Sequence, residues 1–287
     1  MKNPKITPPL RWVGGKQRLL PALLPLLTGT GRLIEPFVGA GSVFLNASQR
    51  DIVINDLNRD LVAMYEMLRD APSDYIDGAR TLFTDSMHSQ HAYLDARCKF
   101  NGSTDLRERA VLFLYLNKFN FNGLFRMNRS GEYNVPYGHP KTLPAFPDAQ
   151  LQAMAERLKS ATILHGDFRV PMAMAATGDV VYCDPPYADA TPGARSFVGY
   201  TSTGFTINDQ IDLVTLARDA CARGATVVLS NHDTNWVRDL YAGMELHSVD
   251  VRRSIAANAT RRTQAGELIA VLRPPSPKLN EDDGLPN

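Results

Sequence analysis

Residues 184–187, Asp-Pro-Pro-Tyr, combine the groups needed to polarise an amino group on an aromatic base. The exocyclic amine of adenine is a poor nucleophile because its lone pair is delocalised into the ring, so a catalyst must accept both amine protons. Asp184 offers a carboxylate and Pro185 a carbonyl, while Pro185 and Pro186 fix φ and remove two competing backbone donors. Tyr187 offers a face on which an extruded base can stack. The string predicts amino-group methylation of a nucleobase, and a packed Pro-Pro turn is the alternative.

Two short segments near the N-terminus predict the start of a nucleoside-binding sheet. Residues 33–37 are typical of a buried strand, residues 39–41 (Gly-Ala-Gly) of a tight loop, and residues 42–48 of the helix that follows. Residues 51–56 then form a second strand, ending in an acid seventeen residues after the first glycine of the loop. A strand-end carboxylate near this spacing binds the ribose hydroxyls of an adenosine. A phenylalanine replaces the third glycine of the dinucleotide fingerprint, which disfavours NAD, and an ordinary glycine turn is the alternative.

Residues 12–16, Trp-Val-Gly-Gly-Lys, superficially suggest a phosphate-binding loop. Leu10 occupies the position of the first P-loop glycine, and Gln17 replaces the Ser or Thr that would hold magnesium, so an NTPase is disfavoured. A lysine beside a carboxylate-bearing ligand, with a tryptophan covering it, suits S-adenosylmethionine better. The alternatives are a tryptophan that anchors the core and a solvated lysine at a helix end.

Composition and charge narrow the class of protein. The chain has 287 residues, 44% of them hydrophobic, enough for one large domain or two smaller ones. Its net charge of +1 means that any nucleic-acid surface must be local. Cys98, Cys183 and Cys221 are widely spaced, which argues against a disulfide framework and a structural zinc site. Without a signal-type segment or a long apolar run, we expect a cytoplasmic protein that has no membrane span and no metal.

Seven segments spread over residues 7–272 carry a resemblance to a known family. They are residues 12–16, 35–46, 110–117, 122–124, 131–136, 184–187 and 230–234. In this order they resemble the DNA adenine methyltransferase (Dam) family, in the alpha group of amino methyltransferases. The resemblance implies an α/β fold, with a Rossmann-like S-adenosylmethionine-dependent methyltransferase sheet and a helical target-recognition insertion that carries a β-hairpin. The implied division is a catalytic domain at residues 1–57 and 148–272, a target-recognition domain at 58–147 and a flexible tail at 273–287.

The resemblance also implies a binding site for S-adenosylmethionine. Its contacting residues would be Trp12, Lys16, Asp56 and Asp184, and its pocket would be lined by Glu35, Phe37, Asp167 and Phe168. The flipped adenine would be held by Asp184, Pro185, Pro186 and Tyr187. Reasoning from the residues alone agrees at Asp56 and Asp184. Asp167 follows the apolar strand 162–164, where an acid is often only a turn residue.

Basic and aromatic side chains are concentrated between the two halves of the predicted sheet. Residues 98–141 contain seven Lys or Arg and three Asp or Glu, a local balance of +4. Residues 110–116 form an apolar helical run, and residues 126–137 are typical of a hairpin closed by Ser130-Gly131. The segment therefore suits target recognition, with a solvated surface over a core aromatic pair as the alternative.

By the resemblance, this segment enters the major groove of double-stranded DNA. Arg126 would read a guanine, and a bidentate arginine gives roughly 1–3 kcal/mol of discrimination. The other implied contacts are Leu124 and Pro136 with thymine methyls, Asn122 and Asn134 with the site, and Phe121 as a wedge beside the flipped base. The implied target is GATC.

A second basic cluster lies in a polar loop between two predicted strands, 246–251 and 267–272. Its members are Arg252, Arg253, Arg261 and Arg262. Contacts with phosphates would add salt-dependent affinity without reading sequence, and a merely soluble loop is the alternative. Ahead of these strands, Thr206 and Asp209 predict a capping box for a helix that runs to Arg223.

Rival functions can be weighed from the residues that they require. Methylation at carbon 5 of cytosine needs a cysteine nucleophile, usually after proline, and the sequence has no Pro-Cys pair. A zinc deaminase needs clustered Cys and His ligands, whereas the close pair His88 and His91 has no cysteine partners. An RNA adenine methyltransferase fits the hairpin poorly, because A-form RNA closes its major groove to side chains. A noncatalytic DNA-binding module would not need Asp-Pro-Pro-Tyr, so we expect a site-specific DNA adenine-N6 methyltransferase that acts as a monomer.

Overall fold

A seven-stranded sheet forms the centre of the fold within the residues that the computed structural model describes, 5–187, 205–249 and 266–275. Its strands are β1 (Leu33–Glu35), β2 (Ile52–Asp56), β3 (Thr162–His165), β4 (Val180–Cys183), β5 (Thr226–His232), β6 (Glu245–Val249) and β7 (Glu267–Leu272). Their order across the sheet is β3-β2-β1-β4-β5-β7-β6, with β7 antiparallel to both neighbours and the other pairs parallel. The order reverses between β1 and β4, and α/β sheets bind ligands in the crevice at such a switch point.

Helices cover the sheet and build the insertion between β2 and β3. They are α1 (Leu20–Leu23), α2 (Arg59–Asp70), α3 (Pro72–Arg80), α4 (Gln90–Gly102), α5 (Leu106–Phe119), α6 (Asp148–Leu158), α7 (Arg169–Ala173), α8 (Ile207–Ala222) and α9 (Asn235–Leu240). Side-chain caps start several of them, as when Asn58 accepts the first free amides of α2. The predicted capping box of Thr206 and Asp209 is confirmed at the start of α8.

The central strands are buried on both faces, which explains their continuous apolar sequence. Neighbouring side chains of one strand enter different hydrophobic clusters because they point to opposite faces of the sheet. In β4, Val180 packs into one cluster and Val181 into the other. Cys183, the last residue of β4, is fully buried. The sheet is thus a rigid layer whose strand ends hold functional side chains in fixed positions.

The predicted helix at residues 42–48 is wrong, because this segment forms successive turns. In a helix the carbonyl of Phe44 would accept the amide four residues later. It accepts instead from Nε and Nη2 of Arg157, at 2.9 and 2.8 Å. The side chain of Asn46 donates to the carbonyls of Ser42 and Ile6, at 2.9 and 2.8 Å. Side-chain donors therefore take the carbonyls of Ser42 and Phe44, and the segment keeps isolated turn bonds such as that from the amide of Ala47 to the carbonyl of Val43.

The insertion between β2 and β3 contains the predicted hairpin, which is held by isolated antiparallel bridges, Met127 with Tyr133 and Asn120 with Tyr137. The amide of Asn134 donates to the carbonyl of Arg126 at 3.2 Å, and the amide of Asn128 donates to Glu132 at 2.8 Å. Gly131 closes the turn with φ of +77°, a conformation that favours glycine. The hairpin is therefore confirmed, although its arms pair through isolated bridges.

One hydrophobic cluster runs from the sheet into this insertion. It contains Leu33 and Ile54 from β1 and β2, Phe113 from α5, and Tyr133 from the hairpin. A buried ion pair between Arg109 and Asp60, at 2.7 Å, joins α5 to α2. The predicted boundaries at residues 58 and 147 thus separate two parts of the chain with different proposed functions. These two parts share one hydrophobic core.

Some sequence predictions fall outside the described residues. These include the second basic cluster, Arg252, Arg253, Arg261 and Arg262, and most of the predicted tail. Arg273, the first tail residue, is described and donates to Thr28 Oγ1 at 2.6 Å. In the described ranges no helix has both the length and the apolar character that a membrane crossing requires, and no group of metal-binding side chains is present.

Candidate active site

A cavity of about 330 Å³ opens where β1, β2 and β4 end, at the switch point of the sheet. All eight residues that the sequence assigned to cofactor binding line it, namely Trp12, Lys16, Glu35, Phe37, Asp56, Asp167, Phe168 and Asp184. They come from the N-terminal loop, three strand ends and the turn before α7. The fold therefore brings together residues that lie up to 172 positions apart in the sequence.

The two carboxylate oxygens of Asp184 have different surroundings. Oδ1 forms an ion pair with Lys16 Nζ at 2.9 Å and accepts the hydroxyl of Ser230 at 2.9 Å. Ser230 in turn lies 2.9 Å from the hydroxyl of Tyr182. Among the described residues, no donor binds Oδ2 of Asp184, whose side chain is 20% exposed. One oxygen is therefore anchored and the other is left for a ligand at the cavity.

Burial raises the pKa of the Asp184 carboxyl, and the charge of Lys16 and the Ser230 hydroxyl partly offset this effect. A carboxylate with a raised pKa is a stronger hydrogen-bond acceptor and a better base at neutral pH. Asp184 is thus suited to drawing a proton of an amine toward itself.

Lys16 links the N-terminal loop to the Asp-Pro-Pro-Tyr motif. It is 6% exposed, so the alternative of a solvated helix-end cation is wrong. Besides Asp184, its Nζ donates to the carbonyl of Gly14 at 3.0 Å and lies 4.8 Å from the ring centre of Tyr187. A lysine held in this way also presents positive charge to the cavity.

Trp12 packs both on the glycine loop and on the insertion. Gly39 has φ of +49°, and a Cβ atom there would lie 3.1 Å from the indole Nε1 of Trp12. The same indole lies 6.2 Å from the ring of Phe113 and 6.1 Å from that of Phe125. Trp12 therefore borders the cavity, as predicted, and also packs in the core, which was the alternative role.

Asp56, at the end of β2, holds the glycine loop in place. Its Oδ2 accepts the amide of Gly39 at 3.0 Å, and its Oδ1 accepts the amide of Asn58 at 2.9 Å. Burial raises the pKa of this carboxyl, and the backbone amides act in the opposite direction. Each carboxylate oxygen has a second lone-pair site, so Asp56 can still accept from hydroxyls of a ligand.

Glu35, at the end of β1, is 1% exposed and borders the cavity. Its Oε1 is buried and has no hydrogen-bond partner within the described part of the chain. Burial raises the pKa of Glu35 well above its ordinary value of 4.5, and the backbone amide of Phe44 lowers it. An unpartnered buried carboxyl oxygen is costly, which indicates a ligand with a cationic or hydrogen-bonding group at this point.

Three phenylalanines form an aromatic wall of the cavity. The ring centre of Phe37 lies 5.2 Å from that of Phe168 and 5.6 Å from that of Phe205, and Phe168 lies 5.6 Å from Phe205. Such a wall suits a flat, apolar ring of a ligand. The sequence reasoning missed Phe205, although its place directly before the capping box of α8 was a usable signal.

Residues outside the predicted set hold the Asp-Pro-Pro-Tyr motif. The carbonyl of Pro186 accepts from Gln210 Nε2 at 3.1 Å, and the hydroxyl of Tyr187 donates to Glu267 Oε2 at 2.7 Å. The ring of His232 lies 4.1 Å from that of Tyr187. Gln210 and Glu267 were missed because they lie 24 and 80 residues away with no motif of their own. Ser230 was seen only as part of the 230–234 segment, without a role.

The residues predicted to recognise DNA lie on one face of the hairpin and its neighbouring turn. Arg126 is exposed and donates through Nε to Asn134 Oδ1 at 2.7 Å. Phe121 is 50% exposed, and its amide donates to the carbonyl of Pro136 at 3.0 Å. The remaining predicted contacts are Asn122, which is exposed with φ of +59°, and Leu124, which is half-buried. Val135 and Tyr133 alternate with these residues and are buried, so the hairpin presents one polar face outward.

Comparison with protein families shows to which family the chain belongs. The sequence profile of the D12 class N6 adenine-specific DNA methyltransferases matches residues 12–255. The chain belongs to this family. The predicted family and the predicted methyltransferase fold are thereby confirmed, and the alternative of a noncatalytic module is wrong.

Relatives of this D12 class methyltransferase are named DNA adenine methylases. The DNA adenine methylases of Vibrio cholerae and Escherichia coli are each 41% identical to it, over 92% of this chain and 95% of theirs. A solved structure of a Thermoplasma acidophilum protein covers 87% of this chain and 82% of its own. With 9% identity and a TM-score of 0.33, that similarity is too weak to support an argument. The D12 class methyltransferase is an adenine-specific DNA methyltransferase, and membership in its family implies S-adenosylmethionine as methyl donor and DNA as substrate.

Proposed function

We infer that this methyltransferase acts on the N6 amine of an adenine flipped out of duplex DNA, within the sequence GATC. The observation that carries this proposal is the unequal environment of Asp184, with Oδ1 held by Lys16 and Ser230 and Oδ2 left open. In a duplex the N6 amine is paired with thymine and its nitrogen lies in the plane of the stacked bases, so an acceptor in a cavity can be reached only by an extruded base. The exposed ring of Phe121 is suited to fill the space that such a base leaves.

The cavity fits S-adenosylmethionine, which when bound supplies an electrophilic methyl group on a sulfonium centre. The wall of Phe37, Phe168 and Phe205 suits the adenine ring of the cofactor. Asp56, at the end of β2, has lone pairs left for the ribose hydroxyls. The unpartnered Oε1 of Glu35 suits the amino group of the methionine part. No metal ion is needed for this assignment.

The motif polarises the target amine through two acceptors. The carbonyl of Pro186 is engaged by Gln210, so the carbonyl of Pro185 is the second acceptor that the motif offers beside Asp184 Oδ2. Accepting both amine protons localises the nitrogen lone pair and directs it toward the methyl group. Asp184, with its raised pKa, then takes the proton that the methylated nitrogen loses. Tyr187, held by Glu267, offers its ring face to the base.

Recognition of GATC is assigned to the exposed face of the hairpin. Arg126 reads a guanine, while Leu124 and Pro136 contact thymine methyls and Asn122 and Asn134 support the contacts. The hydrogen bond from Arg126 to Asn134 at 2.7 Å supports a guanidinium oriented before DNA arrives. We place the enzyme in the bacterial cytoplasm, where it acts as a monomer on double-stranded DNA.

Two nucleases that both cut GATC, one blocked by adenine methylation and one not, test the proposal. Plasmid incubated with the enzyme and S-adenosylmethionine should resist only the blocked nuclease. Plasmid treated with the Asp184→Ala variant should be cut by both. Complete cutting of wild-type-treated plasmid would exclude GATC as the target, and methylation of duplex RNA instead of DNA would favour the RNA alternative.

A further inference from the structure

Arg169, the first residue of α7, gathers three carboxylates at the mouth of the cavity. Its guanidinium lies 3.0 Å from Asp167, 2.9 Å from Asp209 and 2.5 Å from Asp212. It also lies over the ring of Phe168, 4.6 Å from the ring centre. Asp167 belongs to the same turn as Arg169, whereas Asp209 and Asp212 belong to α8. Arg169 therefore ties the turn that carries Phe168 to the first turns of α8.

The contact with Asp209 reaches the segment that carries the third aromatic of the wall. Asp209 Oδ2 accepts the amide of Thr206 at 2.9 Å in the capping box, while Oδ1 accepts from Arg169 at 2.9 Å. Phe205 directly precedes Thr206, and its ring packs on Phe168 at 5.6 Å. The position of Phe205 thus depends on the first turn of α8. Asp209 in that turn bonds the capping residue Thr206 through one carboxylate oxygen and Arg169 through the other.

The geometry of this cluster suits orientation of the aromatic wall better than bulk stability. Arg169 is 39% exposed, and Asp167 and Asp212 are about half exposed, so each single pair contributes little to folding. A planar guanidinium that bonds three carboxylates and stacks on a ring is nevertheless held in one orientation. Residues that hold a binding surface in place before the ligand arrives increase affinity by reducing the cost of ordering.

We propose that Arg169 is a positioning residue for cofactor binding, which fixes Phe205 against Phe168 through Asp209 and Asp212 and so increases the affinity for S-adenosylmethionine. This inference rests on the proposed function, because it takes the aromatic wall as the site of the cofactor's adenine ring. Arg169 acts through Phe205 and leaves the transfer of the methyl group and the contacts with DNA unchanged.

Calorimetric titration of S-adenosylmethionine and S-adenosylhomocysteine into the full-length Arg169→Met variant tests the inference. Loss of the guanidinium should raise both dissociation constants about tenfold, or about 1.4 kcal/mol, with the KM for DNA unchanged. Arg218→Met is the matched control, since Arg218 lies on the exposed side of α8 and contacts the carbonyl of Ala242. Wild-type affinity in Arg169→Met, or an equal loss in Arg218→Met, would overturn the proposal.

A double-mutant cycle with Phe205→Ala separates positioning from a general loss of structure. If Arg169 acts through Phe205, the Arg169→Met and Phe205→Ala double variant binds no more weakly than the Phe205→Ala variant. Full additivity of the two losses would overturn the inference. High salt should weaken cofactor binding in the wild type and not in Arg169→Met, because the cluster is partly exposed. Salt effects of equal size in both proteins would contradict the role of the ion pairs.

The same titration shows which of two assignments fails: the cavity as the cofactor site, or Arg169 as a positioning residue. If the wild-type enzyme itself binds no S-adenosylmethionine, the assignment of the cavity fails and the inference fails with it. If the wild type binds the cofactor and Arg169→Met binds equally well, the positioning role fails alone.

Discussion

In the proposed mechanism, Asp184 combines two tasks in one carboxylate, and its neighbours divide them between its oxygens. Oδ1 is held by Lys16 and Ser230, so the side chain cannot turn away from the cavity. Oδ2 is left to accept from an amine. An acceptor that is fixed before the substrate arrives needs no reorganisation during the reaction, which is where much of enzymatic rate enhancement originates.

Replacing Asp184 by Ala should reduce the single-turnover rate of methyl transfer by about 10²–10⁴-fold, because the acceptor of the amine proton is lost. Ser230→Ala should cost about tenfold, since it frees Oδ1 from one of its two donors. Fluorescence anisotropy should show nearly unchanged DNA binding for both variants. Thr215→Ala, on the exposed side of α8, serves as a control. Unchanged turnover in Asp184→Ala would refute the catalytic assignment.

Arg126 should determine sequence preference more than overall affinity. Arg126→Ala removes a guanidinium that is exposed and oriented by Asn134, so discrimination at one guanine should fall by roughly 1–3 kcal/mol. Methylation rates on duplexes that each carry one altered base pair would measure this. Arg129→Ala, in the exposed turn of the same hairpin, is the matched control. An equal loss on every duplex would instead assign Arg126 to a phosphate.

Glu35 should make stability depend on pH. Burial raises the pKa of Glu35 well above 4.5, so its stabilising contribution is complete below pH 4.5 and is lost as pH rises through the raised value. Glu35→Gln cannot ionise, and its free energy of unfolding should exceed that of the wild type by more at about pH 8 than at about pH 5. Urea unfolding without cofactor measures the difference, and an equal difference at both pH values would contradict it.

The same Glu35→Gln variant should bind S-adenosylmethionine more weakly than the wild type does. An uncharged amide replaces a carboxyl group whose Oε1 has no partner among the described residues and is proposed to contact the ligand. A gain in stability together with a loss in affinity is typical of a residue kept for binding. Unchanged affinity would mean that the free oxygen of Glu35 does not face the cofactor.

At the scale of elements, the loop after β1 depends on one glycine that lies under an indole ring. Gly39→Ala would place a methyl group 3.1 Å from Trp12 Nε1 in a backbone conformation with φ of +49°. The variant should therefore lose cofactor affinity as well as stability. Gly243→Ala is the matched control, because its φ of +84° brings the same kind of strain with no neighbouring atom within 4 Å. Cofactor affinity equal to that of the wild type in Gly39→Ala would show that Trp12 need not cover the loop.

Sequence patterns predicted those elements whose signal lies within a few neighbouring residues. The strands at residues 52–56 and 162–165, the long helix α5 and the capping box of α8 follow from apolar runs and caps within a few residues. The predicted helix at residues 42–48 failed because Arg157, 113 residues from Phe44, takes the carbonyl that a helix would use. The contacts of Arg169 with Asp209 and Asp212 escaped prediction for a similar reason, since these residues meet only in the folded chain.

At the scale of the whole molecule, one continuous hydrophobic core connects the cavity to the hairpin. Trp12 borders the cavity and packs on Phe125, which in turn packs on Tyr133 of the hairpin at 5.5 Å. Asp56 and Asp184 could be assigned to one cavity from the residues alone, because strand ends in a doubly wound sheet meet at one edge. The other six cavity residues were predicted from the family resemblance. The division of the chain into two functional parts stays a prediction.

The most direct test of the central claim is mass spectrometry of the nucleosides released after one round of methyl transfer. The substrates are duplexes that contain either a single GATC or the same bases in the order GTAC. We predict N6-methyladenine in the GATC duplex treated with the wild-type enzyme, and none in the GTAC duplex or after treatment with Asp184→Ala. Methylated cytosine, or equal methylation of both duplexes, would contradict it.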